Sequence, residues 1–171
     1  KVANKLMVPL HRVDFTEEYW QQVFQYFLNE YKLGRTPNPD ILCNTEIKFK
    51  AFLDYAKHLD ADYIAMGHYA KTEVRNGRTV LVRAHDDNKD QTYFLAHLSQ
   101  QQLGKALFPI GHLAKHEVRA LAHAFDLPTK DRKDSQGICF LGKIKFSEFV
   151  QHHLGIVKGE LREAETGKVM G

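Results

Sequence analysis

Two cysteines in 171 residues are too few for a secreted disulfide framework, and Cys43 and Cys139 lie too far apart for a C-x-x-C pair or a zinc-ligand spacing. A reducing cytosol suits such a chain, and no metal site is expected. No apolar run approaches the roughly 18–20 residues of a membrane span, so no membrane partner is expected. The start, "KVANKLMVPL", has neither the long apolar core nor the small-residue cleavage site of a secretory signal. Excess charge is also scarce: 24 Lys+Arg against 21 Asp+Glu leave a net +3, which does not by itself argue for nucleic acid. Internal repeats and low-complexity segments are absent.

What is there is enough apolar residue, 43%, to bury a core. "VPLHRVDF", residues 8–15, reads as a strand leading to Thr16 as a helix N-cap. Trp20, Val23, Phe24, Phe27, Leu28 and Tyr31 then share one helical face, and Gly34 supplies the stop. Beyond a proline loop, Asn44 is a second cap, for a helix lined by Ile47, Ala51, Phe52, Tyr55, Ala56 and Leu59. "ADYIAMGHY" reads as a short buried strand ending at Gly67. This alternation is that of an α/β fold with a mostly parallel sheet. Asn76-Gly77 between two strand-like runs predicts a β-hairpin insertion. "DDNKDQTYFLAHLSQQQL" predicts a helix, "LFPIG" a buried corner, and Val118, Leu121, Ala122 and Phe125 an amphipathic helix ended by Pro128. "KFSEFVQHHLG" is a further short helix. The texture then changes to strand propensity with a turn near Thr166-Gly167, which predicts one domain over 1–151 and the start of a second over 152–171.

Several groups could carry chemistry. In "GRTPNPDILCN", Pro37 and Pro39 fix their own φ and push Thr36 and Asn38 toward extended backbone, so the loop is pre-organised. Asp40 and Cys43 fall on one side of a helical turn near a helix N-terminus, where backbone N–H groups favour a thiolate. A thiol buried in the core is the competing reading of Cys43. Cys139, in "DSQGICF", has Lys133 upstream to lower a thiol pKa and Ile138, Phe140 and Leu141 to bury it, and both readings stand. Gly67-His68 closes a presumed parallel strand, where α/β sheets bind ligands, although a histidine there is also compatible with a structural role. "NKDQ", residues 88–91, reads most simply as a solvated cap. Lys48, Lys50, Lys57, Arg83, Lys89, Lys115, Arg119, Lys130, Arg132, Lys133, Lys143 and Lys145 are scattered, with no run dense enough to define an RNA surface.

Taken in order, "GRTPNPDILCN-EIKF", "DYIAMGHYA", "DDNKDQTYFL", "LFPIG" and "KDSQGICFLG" resemble the tRNA-specific 2-thiouridylases over nearly the whole chain. The resemblance implies a Rossmann-like PP-loop ATP pyrophosphatase domain (adenine nucleotide alpha hydrolase-like), then a small central domain and a C-terminal β-barrel. It implies a reaction in which ATP, with Mg2+, adenylates the C2 oxygen of the wobble uridine and persulfide sulfur from a donor protein is delivered to that carbon.

By motif match, Cys139 resembles the cysteine that carries the persulfide. Cys43 resembles its partner, which attacks that persulfide and leaves a Cys43–Cys139 disulfide, the ordinary logic of thiol–disulfide exchange. Asp40 matches an acid/base residue, with Asn38 and Pro39 beside it lining a pocket for the extruded base. Gly67 matches an ATP contact; His68, Lys89, Asp90 and Gln91 match tRNA contacts. The setting implied is cytoplasmic, and a mitochondrial relative is compatible with it.

Two departures qualify the resemblance. The phosphate-gripping S-G-G-x-D-S-S loop is nowhere in the 171 residues, and neither is the barrel. The chain is therefore expected to be the middle of a longer enzyme and inactive alone. Two other classes stay open: a two-cysteine sulfur carrier or redox protein, and a non-catalytic tRNA-binding module. A cysteine hydrolase built on Cys43, His68 and Asp40 is a weaker rival, because Asp40 sits too near the thiol in sequence to orient a histidine base.

Overall fold

The computed structural model describes residues 1–133, 145–156 and 158–171. After a short helix α1 (Val2–Leu6), two long helical runs dominate the first third of the chain. The first comprises α2 (Thr16–Tyr19), a π-helical stretch over Trp20–Phe24 and α3 (Gln25–Lys32). It stops as expected at Gly34, whose φ of 73° is the left-handed value that favours glycine. The second comprises α4 (Pro39–Leu42), a π-helical stretch over Cys43–Ala51 and α5 (Phe52–Lys57).

The sheet part is small. Strand β1 (Ile64–Ala65) pairs in parallel with β4 (Ala106–Leu107), with Ile64 opposite Ala106. Strands β2 (Lys71–Arg75) and β3 (Arg78–Val82) form the expected hairpin. Asn76 (φ 51°) and Gly77 (φ 72°) are both left-handed, the two-residue turn whose twist matches that of its strands. A 3₁₀ turn (Thr92–Leu95), α6 (Gln100–Leu103), α7 (Lys115–Ala124) and α8 (Phe146–Leu154) are the other helices among the described residues. Near the C-terminus, Arg162 and Val169 make an antiparallel bridge around Gly167.

The second helical run divides the core. On one side, Phe49, Leu53 and Ala56 pack with Ile64, Ala70, Leu95, Leu103, Ala106 and Phe108. On the other, Cys43 and Ile47 pack with Tyr19, Val23, Phe24 and Phe27 of the first run. Removing this apolar surface from water is what holds the two runs and the short parallel pair together.

Five local expectations need correction. Residues 8–15 form no strand, and Val8, Leu10 and Val13 are exposed; an extended segment whose backbone finds no neighbour to pair with is not a strand. Thr16 is inside its helix, and the Asp14 carboxylate instead accepts from both the Thr16 N–H and its hydroxyl. Asn44 is not a cap either, since Asn38 begins that helix. Residues 86–103 break into a loop, the 3₁₀ turn and α6, because Ser99 starts a new helix with a capping box to Gln102. Finally, α7 forms and stops before Pro128, but Leu121 and Phe125 on its presumed buried face are exposed.

Candidate functional site

Pro39 forces the preceding residue out of helical backbone, and Asn38 accordingly has φ −110° and ψ 97°. In that conformation its Oδ1 accepts from Asp40 N at 3.1 Å and Ile41 N at 3.3 Å, an N-cap with proline in the first helical turn. Asn38, Pro39 and Asp40 therefore stand at the mouth of a helix whose next turn carries Cys43. The backbone of Asn38 is the one that Pro39 dictates.

Cys43 has none of its surface exposed and sits among the aromatic rings of the first helical run. Its neighbour Asn44 is 2% exposed. The Asn44 Nδ2 donates to Asp40 O at 2.9 Å and to Phe94 O at 3.3 Å, tying the helix start to the 3₁₀ turn that follows residues 89–91. Gln102 Nε2 adds a second tie by donating to Thr45 O at 2.8 Å.

Gly67 follows β1 at its C-terminal end and is exposed; a Cβ built there meets nothing within 4 Å. The space is compatible with a nucleotide at the strand end. His68 packs against the rings of Phe49 and Phe108, with centroids at 6.0 and 6.1 Å. Burial, and then the nearby Lys48 charge, push its pKa down to about 4, so the ring is neutral at physiological pH. Its Nδ1 is buried without a hydrogen-bond partner, as are Asn44 Oδ1 and the Tyr69 hydroxyl.

The 86–91 loop is built by its own acids and amide. Asp86 accepts from the N–H groups of Lys115 (2.9 Å) and Asn88 (3.1 Å), and these bonds, the Lys115 N–H first, hold its carboxyl below the usual range. Burial raises the Asp90 carboxyl, but the Thr92 hydroxyl (2.6 Å) and the Ala84 N–H (2.8 Å) outweigh it and the net shift is downward. Gln91 and Tyr69 bond reciprocally: Tyr69 N donates to Gln91 Oε1 at 3.0 Å and Gln91 N donates to Tyr69 O at 2.9 Å. Residues 67–69 and 89–91 are thereby brought together.

Hydrogen bonds and ring packing thus link the Asn38–Asp40 helix start to the turn after Gln91, link Gln91 to Tyr69 beside Gly67 and His68, and set His68 against Phe49 of the same helical run. Cys139 lies outside the described residues, and so does its pairing with Cys43. Sequence reasoning missed Asn44 and Asp86 as the residues that join these segments. Only the D-x-N spacing at Asp86 hinted at a loop organiser. Among the described residues no group of three His, Cys, Asp or Glu side chains stands together to hold a metal ion, and no helix is long and apolar enough to cross a membrane.

A parallel strand pair flanked by helices, with candidate residues at a strand end and a helix start, makes a mixed α/β protein that fits a Rossmann-like class. The model of the tRNA methyl transferase HUP domain family matches residues 1–143, and the chain belongs to that family. Among similar proteins, the tRNA-specific 2-thiouridylase MnmA of Ligilactobacillus salivarius is 57% identical over 172 residues, spanning 100% of this chain and 46% of that protein. MnmA 1 of Geobacillus kaustophilus, of the same description, is 54% identical over 171 residues, again 100% of this chain and 46% of that protein. The MnmA of Exiguobacterium sibiricum is 55% identical over 170 residues, 99% of this chain and 45% of its own length. The chain spans about half the length of the curated relatives it matches.

Proposed function

We propose that this chain is part of an ATP-dependent tRNA sulfurtransferase that places sulfur on C2 of a wobble uridine. The observation that carries the reading is the identity of 54–57% to tRNA-specific 2-thiouridylases along the whole chain. The helix start that carries Asp40 beside Cys43 supports it. The two thiols also favour sulfur chemistry over the methyl transfer in the family's description, which has no need of them.

The extruded uracil lies against Asn38, Pro39 and Asp40, at a helix mouth whose rigidity limits the entropy lost on binding. ATP lies by Gly67 and adenylates the C2 oxygen, releasing pyrophosphate, and Asp40 moves the proton at the base. Cys139 carries a persulfide received from a donor protein. The Cys43 thiolate attacks the inner sulfur of that persulfide, the S–S bond breaks, and the outer sulfur leaves as hydrosulfide. That hydrosulfide adds to C2 and AMP departs. A Cys43–Cys139 disulfide remains, and a thiol reductant must restore it before the next turnover. His68, Lys89, Asp90 and Gln91 face the tRNA, with Asp90 and Gln91 acting chiefly by shaping the loop that presents Lys89. Mg2+ accompanies ATP, and no step is assigned to it. The setting is cytoplasmic. Residues 1–151 belong to the catalytic domain and 152–171 begin the next, and residues 1–171 alone are inactive because they lack the phosphate-gripping loop.

The test is reconstitution of the full-length enzyme with tRNA, ATP and a persulfide donor, with 2-thiouridine quantified by nucleoside mass spectrometry. Cys139→Ser is expected to abolish thiolation and leave tRNA affinity unchanged. A Cys139→Ser enzyme that still thiolates overturns the sulfur-relay reading. If neither thiol is needed and no 2-thiouridine forms, the non-catalytic tRNA-binding module takes its place.

A further inference from the structure

The loop that carries Lys89 is closed at its own neck, where Ala84 N donates to Asp90 Oδ1 at 2.8 Å. That bond gives the loop its shape but not its place against the rest of the chain. Asp86 supplies placement, because its two carboxylate oxygens are turned to different partners. Oδ1 accepts from Asn88 N at 3.1 Å, inside the loop. Oδ2 accepts from the N–H of Lys115, the first residue of α7, at 2.9 Å. One short, planar group therefore joins the turn that carries Lys89 to the start of a helix of 10 residues. A carboxylate suits both partners, since the N–H groups of a first helical turn have no acceptor within the helix.

The segment behind this contact is itself held fast. Gly111 lies so close to Ala70 that a Cβ on it would stand 1.6 Å from Ala70 O, and Gly111 O accepts from His85 N at 2.9 Å. Residues 111–115 thus press on residue 70 and hold residues 85 and 86. At its other end the loop is held by Gln91, which exchanges two hydrogen bonds with Tyr69, next to His68. Asn88 and Lys89 stand between these anchors, and the Asp86 carboxylate reaches from them to α7.

We infer that Asp86 is a positioning residue, whose carboxylate, shared between the loop and the start of α7, sets residues 88–91 for contact with tRNA. The inference rests on the tRNA reading above. With both oxygens bonded within the chain, Asp86 acts through the residues it holds. A loop already fixed in place loses less conformational freedom when RNA arrives. Without the carboxylate the loop stays closed by Asp90 and Gln91 but swings at its middle, so tRNA affinity falls while the ATP side is untouched. The competing role is that of a plain helix cap, and α7 carries its own comparison for it: Glu117 Oε2 accepts from Ala114 N at 2.7 Å, at the same helix start, in a bond that does not involve the loop.

In the full-length enzyme, Asp86→Ala, Asp86→Asn and Glu117→Ala are compared by tRNA binding, thiolation kinetics and urea denaturation. Asp86→Ala is expected to weaken tRNA binding and raise KM for tRNA about tenfold, the value of one hydrogen bond to a charged group, with kcat and KM for ATP unchanged. Asp86→Asn is expected to recover only part of this, because an amide has one acceptor oxygen for two N–H groups. Glu117→Ala should lose stability as Asp86→Ala does and keep the wild-type KM for tRNA. If both alanine variants lose stability and neither changes KM for tRNA, Asp86 is a helix cap and the inference is overturned. A lower kcat at unchanged tRNA affinity overturns it too. If Asp86→Ala does not fold, Asp86→Asn carries the test: a raised KM for tRNA supports the shared carboxylate, and a wild-type KM overturns it. In each overturning result the wild-type enzyme still thiolates tRNA and the proposed function stands. A wild-type enzyme that neither binds nor thiolates tRNA overturns both.

Discussion

The Asn44 side-chain amide bridges the Asp40 and Phe94 carbonyls, at 2.9 and 3.3 Å, from a position with 2% of its surface exposed. This bridge couples the helix mouth at Asn38–Asp40 to the turn that follows Gln91. Asn44→Leu removes both bonds, leaving the Asp40 carbonyl with its backbone donor from Cys43 and the Phe94 carbonyl without the amide, a loss of about 2 kcal/mol. Asn44→Asp is expected to be worse, about 3 kcal/mol, because a carboxylate would face those same carbonyls in a buried site. Urea denaturation of the two variants orders them, and an Asp variant as stable as wild type would contradict the bridge.

Two glycines make opposite predictions. A Cβ on Gly111 would lie 1.6 Å from Ala70 O, a backbone atom that cannot step aside. Gly111→Ala is therefore expected to cost about 3 kcal/mol and to lower soluble yield. A Cβ on Gly67 meets nothing within 4 Å, so Gly67→Ala should leave the denaturation midpoint within the scatter of surface changes, about 0.5 kcal/mol. Gly67→Ala then isolates the nucleotide: if ATP lies close to this strand end, KM for ATP rises while stability does not. An unchanged KM removes Gly67 from the ATP site.

The hairpin and the helix mouth were legible in the sequence because their causes are local. Asn76-Gly77 demands positive φ whatever surrounds it, and Pro39 dictates the backbone of Asn38. The buried face of the second helical run was only half legible. Ile47 and Ala56 are buried as their spacing predicts, but Phe49 and Leu53 are buried too, and Leu59 is 45% exposed. The π-helical geometry of Cys43–Ala51, with i→i+5 bonds, rotates the residues that follow it away from the 3.6-residue template. No residue type announces that change of pitch.

Cys43 tests whether a core position also does chemistry. With no exposed surface, and in one buried cluster with Tyr19, Val23, Phe24, Phe27 and Ile47, the thiol packs as a small hydrophobe. Cys43→Ala is expected to cost about 1 kcal/mol, the value of one small buried group, and Cys43→Ser about 2 kcal/mol, because a hydroxyl is harder to bury. Both variants should fold and both should fail to produce 2-thiouridine in the full-length enzyme. Thiolation surviving in Cys43→Ala would reduce the residue to its packing role.

His68 gives the chain a pH dependence whose direction follows from its surroundings. Its pKa falls from 6.5 to about 4 because the ring is largely buried, with the Lys48 charge adding to the effect. A histidine depressed in the folded state stabilises the fold above its unfolded pKa, and that contribution is lost as pH falls from 6.5 to about 4, where the folded protein also begins to protonate. The gap corresponds to about 3 kcal/mol at full effect, since each pH unit is worth about 1.4 kcal/mol. Replacing His68 with Gln removes the titration. Denaturant midpoints measured from pH 7 to pH 4 should fall steeply for the wild-type chain and more gently for His68→Gln, so that the difference between the two shifts in the variant's favour as pH falls. Parallel curves would show that the ring is solvated or finds a partner for its charged form, and His68 would then be available to a phosphate as a cation instead of reaching RNA only as a neutral ring.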